Sequence, residues 1–381
     1  MTSRLKVVFW LAACLLWQHP LSDSAWSGSV QMTTEDRLQL TGWWPTKSTA
    51  ARQDFVGPEA CGTCHATKAG TQKLTPMAHA SSRGADSEAL RVHDDMTFRY
   101  GPYVYRVKRT DTGSTYSVSE GARDMSIPID WAFGLGESGQ TFVLSYKGTW
   151  YESRVSFFRA LDGLDLTPNP SPAPSSTLEA ALGRPMLSGG ETQRCFACHT
   201  TASTTQNKFD PGHLIPGVTC EACHGPGAKH VTAMRAQRIK EGLRAILNPG
   251  LLSPVDLLDF CGACHRTYMD VAMTGTFGIL NLRFQPYRLK LSQCWLKTEG
   301  ITCLACHNPH QPRRHDSASY DDKCLACHPL AASARRIAKP CPQNAKDCIS
   351  CHMPKYEMPG MHFRFTDHFI RIVRQNEPYR D

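Results

Sequence analysis

Nowhere does this 381-residue sequence hold an apolar run of the roughly 20 residues that a membrane-spanning helix needs. Its longest, Val7 to Trp17, is about half that length; Arg4 and Lys6 precede it and small residues follow around Ser22 to Ala25. That order reads as a secretory signal over residues 1–25, so the mature chain is expected in the periplasm or otherwise exported from a bacterium, with no transmembrane span after cleavage. Leu11-Ala12-Ala13-Cys14 also resembles a lipoprotein cleavage box, which would put a lipid anchor on Cys14. Low complexity is missing too: with 41% apolar residues the chain is neither disordered nor fibrous, and it is long enough for two or three domains. Basic residues outnumber acidic ones by eight, yet no basic stripe is interleaved with aromatics, so no nucleic-acid partner is indicated.

Cysteine is abundant. There are seventeen, and sixteen follow Cys14. In an exported protein such a number ordinarily signals disulfides. Here fourteen of them fall into seven copies of one pattern, C-x-x-C-H: Cys61 and Cys64, Cys195 and Cys198, Cys220 and Cys223, Cys261 and Cys264, Cys303 and Cys306, Cys324 and Cys327, Cys348 and Cys351. A zinc knuckle needs no histidine after each pair, and a redox pair needs only one copy. Covalent haem attachment needs both features, because each cysteine forms a thioether to one porphyrin vinyl and the adjoining histidine meets the iron. The expected cofactor is seven haem c groups, with His65, His199, His224, His265, His307, His328 and His352 as proximal ligands.

The opposite face of each iron decides the chemistry. Sixteen histidines less those seven, and less His19 in the signal segment, leave His79, His93, His213, His230, His310, His315, His362 and His368. Eight spare imidazoles for seven irons point to mostly bis-histidine, low-potential haems. His230 and His310 rank first, since each follows a motif across a tight turn (CHGPGAKH and CHNPH). His79, His362 and His368 come next, then His213 and His93. His315, beside Arg313 and Arg314, reads as a solvated bystander. Met77, Met353 and Met361 are weaker candidates, because methionine more often packs than ligates. The positive charge has a parallel explanation: loss of residues 1–25 leaves +7, while seven haems with two propionates each would bring about −7.

Six motifs lie between Cys195 and His352, so packed haems are expected to supply most of that core, with short helices and many loops between them. Ahead of them, Phe98 to Arg109, Thr115 to Glu120 and Gln140 to Phe158 alternate aromatic or β-branched residues with polar ones. The predicted fold is therefore mainly α with many loops, organised around stacked haems, with a small antiparallel β insertion after the first haem. The predicted segments are the signal (1–25), an N-terminal extension (26–54), the first haem with the β-rich insertion (55–165), a Pro/Ser-rich linker (166–190), haems two to four (191–275) and haems five to seven (276–381). Cys294 and Cys341, outside every motif, are candidates for a disulfide.

The motifs ACGTCH with His79, RCFACH, PGVTCEACHGPGAKH and FCGACHRTY, in that order between Phe55 and Tyr268, resemble the cytochrome c-554 family. The tail, with CLACHNPH, CLACH and CISCHMPK, looks like the paired-motif domains of larger multihaem cytochromes. The resemblance implies electron shuttling in the periplasm through haems stacked in parallel or perpendicular pairs. It also implies one five-coordinate haem, which by motif order falls on His199, and His213 stands where it could fill that site. Two functions follow as expectations. An electron carrier would pass electrons between redox proteins, either other cytochromes or a quinol-linked membrane complex. A multihaem reductase acting on nitrite, hydroxylamine or a sulfur oxyanion would need one open iron, and such enzymes often replace a proximal histidine by lysine. All seven motifs here keep histidine, which favours the carrier.

Overall fold

The computed structural model describes residues 50–134, 136, 138–168, 175–187, 189–206, 208–298, 300–328, 346–374 and 376–381. The signal segment, Cys14, Cys341 and most of the N-terminal extension lie outside them, as does part of the Pro/Ser-rich stretch.

Ten strands occupy residues 81–186: β1 (Ser81–Arg83), β2 (Asp95–Tyr100), β3 (Tyr103–Thr110), β4 (Gly113–Glu120), β5 (Arg123–Pro128), β6 (Trp131–Phe133), β7 (Gly139–Tyr146), β8 (Thr149–Phe158), β9 (Gly163–Leu166) and β10 (Gly183–Met186). β2 to β5 form a four-stranded meander. The others form a six-stranded antiparallel sheet in the order β1-β6-β7-β8-β10, with β9 also paired to β8. Alternate residues of β3 and β4 turn inward, so Tyr103, Tyr105, Val107, Tyr116 and Val118 meet Phe142, Leu144, Val155 and Phe157 in one core. The β2–β3 and β4–β5 hairpins turn at Gly101 and Gly121, whose φ values of 58° and 60° suit the first position of a two-residue hairpin loop.

The expected small β insertion is thereby overturned. Two sheets of six and four strands carry the largest apolar cluster, and short antiparallel pairs recur at Thr200–Thr201 with Ile215–Pro216 and at Lys355–Glu357 with Arg364–Thr366. The physical reason lies in the edges. Segments of three or four residues such as β1, β6, β9 and β10 are too short to show a period of two, yet β6, β9 and β10 each pair with a longer neighbour and β1 pairs with β6.

The motif region is built from short helices, of which Pro254–His265, at 12 residues, is the longest. Pro254 occupies its first turn, and the Ser253 hydroxyl caps it by accepting from the Asp256 amide. No helix among the described residues is long and apolar enough to cross a membrane.

Candidate haem-attachment sites

Each CxxCH motif sits on or beside a short helix, and its neighbours set the orientation of its histidine. The second motif ends the helix Gly189–His199 and is gripped by the edge of the six-stranded sheet. His199 Nδ1 donates to the Ala80 carbonyl at 3.0 Å, and its ring stacks on Phe133 of β6 at 4.7 Å and 2°. Ser81 of β1 donates to the His199 carbonyl at 2.7 Å and accepts from the Gly217 amide at 3.0 Å. Gly217, at φ +73°, lies so close to Ala78 that a Cβ there would stand 1.9 Å from the Ala78 carbonyl oxygen. That close approach lets the Val218 amide bond Met77, so the segment after the first motif is laced to the start of the third.

Glu221, the first variable residue of the third motif, completes that docking. Its buried carboxylate accepts from the amides of Val56 at 2.9 Å, Gly57 at 2.8 Å and Gly227 at 2.8 Å. The first two belong to the start of the helix that carries Cys61. The motif cysteines adjoin in the same way: Cys61 stands beside Cys220, Cys198 beside Cys264, Cys261 beside Cys303 and Cys324 beside Cys348. The fourth motif therefore meets the second through one cysteine and the fifth through the other.

Three pairs of imidazoles face each other. His65 and His230 have ring centroids 6.5 Å apart and planes 18° from parallel; His224 and His310 stand at 6.0 Å and 12°, and His307 and His368 at 6.3 Å and 37°. Two imidazoles bound to one metal at about 2 Å, each with its ring centre roughly 1.1 Å behind the bound nitrogen, have centroids about 6.3 Å apart. The fit is reinforced by tautomers. Nδ1 of His230 donates to Gly242, of His224 to Leu247, of His368 to Thr366 and of His352 to Arg371, all backbone carbonyls at 2.7–3.1 Å. A nitrogen bonded to a carbonyl must carry the proton, which leaves the Nε2 lone pair available for a metal. Burial lowers the basicity of His199, His265, His307 and His310 and takes His368 down to about 4, so these rings stay neutral, as ligation requires. Among the described residues no group of three or more histidine, cysteine, aspartate or glutamate side chains is arranged to hold a single ion.

The other spare histidines stand elsewhere. His93 has both nitrogens engaged, Nδ1 with Ala89 O at 2.7 Å and Nε2 with Asp162 Oδ1 at 3.0 Å. His362 gives Nε2 to Asp165 at 2.7 Å, under β9, against Phe158. His213 is mostly exposed and bonds Asp210 through Nδ1 at 2.9 Å. His79 and His315 are exposed. Among the described residues no ring pair places an imidazole opposite His199, His265 or His352. Cys294 is a free thiol raised in pKa by burial, close to Cys327 of the sixth motif.

Sequence reasoning missed Glu221, because a variable position inside a haem motif carries no signal of its own. It also missed Asp367, whose fully buried carboxylate binds Arg288 through both oxygens at 2.9 Å and Arg371 at 2.9 Å, fixing the residue before His368.

The sequence model of the family described as cytochrome c554 and c-prime matches residues 174–225, which hold the second and third motifs. The multiheme cytochrome MtrA of Shewanella baltica (strain OS185) is 23% identical over 200 residues, covering 47% of this chain and 59% of that protein. This chain thus matches little more than half the length of that relative. In a solved structure, the outer cell wall cytochrome OcwA, 80% of the chain aligns with 84% of this one at 15% identity and a TM-score of 0.48. Motifs, family match and relative identify a multihaem c-type cytochrome with covalently bound haem c.

Proposed function

We propose that this chain is an exported, periplasmic heptahaem cytochrome that carries electrons between redox protein partners, through haems held mostly between two histidines. The observation that carries the reading is the set of three facing imidazole pairs at 6.0–6.5 Å, each uniting one motif histidine with a histidine from beyond another motif. Haem c supplies reversible one-electron chemistry at its iron. The chain's own residues do the rest. Fourteen cysteines, from Cys61 and Cys64 to Cys348 and Cys351, attach the seven groups, and the seven motif histidines ligate one face. His230, His310 and His368 ligate the second face at the first, third and fifth motifs, and backbone carbonyls hold the rings of His230 and His368 in the ligating tautomer. His79, His213 and His362 remain the candidates for the other irons. His93 drops out, because Ala89 and Asp162 take both of its nitrogens.

Cysteine contacts support an unbroken series, with motif one against three, four against two, three and five, and six against seven. Cys306 and Cys324 influence one another across the remaining step between five and six. Other cytochromes or a quinol-linked membrane complex are the fitting partners.

A second reading, a reductase with one open haem, is favoured by one observation: among the described residues no spare imidazole faces His199, whose ring is held by Ala80 and Phe133. Intact mass with a pyridine-haemochrome assay tests the count, and fewer than seven haems per chain would refute it. Electron paramagnetic resonance of the oxidised protein tests the role. An entirely low-spin spectrum supports the carrier, whereas a high-spin haem that binds nitrite turns the reading to the reductase.

A further inference from the structure

Half of the chain's net formal charge is concentrated in one helical hairpin. Residues 228–245 hold Lys229, Arg235, Arg238, Lys240 and Arg244 against Glu241 alone, a net of +4 where the whole chain has +8. All six side chains are exposed, and among the described residues Arg238 is the one cation of the five with a carboxylate in reach, Glu241 at 3.2 Å. The hairpin consists of the helices Ala228–Arg235 and Ile239–Arg244. They pack closely because Gly242 has no side chain: a Cβ there would stand 2.5 Å from Met234 Sδ. An open hollow of about 420 Å³ lies between them, lined by Lys229, Thr232, Arg238 and Arg244. Two apolar side chains stand out from the second helix, Ile239 at 46% exposure and Leu243 at 63%. Spacings of three and four residues put both on one side of that helix with Lys240 and Arg244. An apolar centre within a ring of cations has the anatomy of a protein interface.

The hairpin is joined to a ligand candidate from behind. His230, on the first helix, donates Nδ1 to the Gly242 carbonyl at 2.8 Å, and its ring faces His65. The Nδ1 edge points away from the Nε2 edge that is free for a metal, so the second helix stands on the side of the ring away from the iron. One hydrogen bond therefore connects the exposed helix to the ligand.

We propose that the hairpin 228–245 is the docking surface for a redox protein with an acidic face, and that electrons cross between that partner and this chain at the haem held by His65 and His230. One electron passes, oxidising one centre and reducing the other, and no bond is made. This role rests on the heptahaem carrier reading and names the partner's chemistry and the haem it meets. Charge complementarity steers the approach, and Ile239 and Leu243 supply the contact that excludes water. A nucleic acid fits less well, because residues 228–245 hold no aromatic ring on which a base could stack. An anionic membrane fits less well too, because two apolar side chains on a short helix give little surface to bury in lipid.

The test is stopped-flow reduction of the full-length ferric holoprotein by reduced flavodoxin, an acidic one-electron donor, over a range of ionic strength. Wild type is compared with the triple reversal Arg235→Glu, Lys240→Glu, Arg244→Glu. A control reverses three exposed cations elsewhere, Arg91→Glu, Arg99→Glu and Lys108→Glu, and so lowers the net charge equally. A third variant is Ile239→Ser with Leu243→Ser. The wild-type rate constant is expected to fall as salt rises, and the hairpin reversal to lower it about tenfold or more at low ionic strength. The control reversal should change it far less, and the serine pair should lower it while keeping the salt dependence. An unchanged rate in the hairpin reversal overturns the proposal. Equal losses in both reversals also overturn it, because net charge alone then sets the rate. Wild-type binding to phosphatidylglycerol vesicles that the hairpin reversal abolishes, with flavodoxin reduction unaltered, overturns it in favour of a membrane contact. Haem count and the extent of reduction by dithionite, neither of which needs docking, decide the heptahaem reading separately. A slower rate with full haem loading supports the docking surface, and a slower rate that accompanies lost haem overturns it.

Discussion

The rings of His65 and His230 face each other at 6.5 Å, 18° from parallel, although they belong to the first motif and to the helix after the third. The pairing links two haem sites through one polypeptide turn. Gly225, at φ +80°, ends the helix Cys220–His224, and the helix Ala228–Arg235 that follows presents His230 to a different motif from the one just passed. His230→Ala is expected to convert one haem, that of the first motif, to high spin. Adding His310→Ala converts a second, that of the third motif. Electron paramagnetic resonance of the oxidised proteins reads both steps, and a spectrum unchanged by either substitution contradicts the ligand assignment.

Glu221 offers a test that leaves every ligand in place. Its carboxylate accepts from three backbone amides, two of them at the helix that bears Cys61. Glu221→Ala strands those donors in a buried site, and each unsatisfied group costs about 1–3 kcal/mol. The expected loss is about 3 kcal/mol of stability, with faster amide exchange at Val56 and Gly57. Glu221→Gln, which keeps an acceptor oxygen for part of the set, should fall between. Chemical denaturation with hydrogen exchange measures both, and wild-type exchange at Val56 in Glu221→Ala would show that the docking has other supports.

The haem motifs were legible because covalent attachment demands fixed spacing, whatever the fold around it. His230 and His310 face His65 and His224 because a tight turn after a motif limits where the chain can go within a few residues. His368 could not be assigned to His307, since their pairing depends on Asp367 and Arg288, which sequence cannot bring together. His93 looked no different from a ligand; only the arrival of Asp162 from another turn takes its second nitrogen. The sheets were undersized for a related reason. Alternation marked the long strands, while β6, β9 and β10 are strands only because a longer neighbour offers them an edge, and β1 because β6 does.

Acid should loosen the contact between the sixth and seventh motifs. Asp321 accepts from the amides of Cys348 at 2.9 Å and Asp347 at 2.7 Å. Those bonds, Cys348 first, hold its carboxyl below the ordinary aspartate range, outweighing the opposing effect of burial. A lowered folded pKa means the stabilisation is fully present above the unfolded value of about 4 and is lost as pH falls through the folded value. Wild type is therefore expected to be more stable than Asp321→Asn at neutral pH, with the gap closing below about pH 4. Denaturation midpoints across that range measure it, and a gap that is constant with pH would rule out the Asp321 charge as its source.

The last prediction concerns how His368 is held against His307. Asp367 and Arg288 are both fully buried and joined by two 2.9 Å hydrogen bonds, and Arg371 adds a third to the same carboxylate. Removing one member of a buried pair leaves the other charge uncompensated, which costs about 3–5 kcal/mol. Asp367→Ala is expected to destabilise the protein by that amount and to shift the haem of the fifth motif toward high spin, because the adjacent residue no longer has a fixed position. Stability and ligation can be separated. In Asp367→Leu with Arg288→Met, the buried charge from Arg288 is gone and apolar packing can restore much of the stability. If the double variant is stable yet still high-spin at one haem, the ion pair orients His368. If it is stable and low-spin, packing alone places His368, and the pair acts on stability without directing ligation.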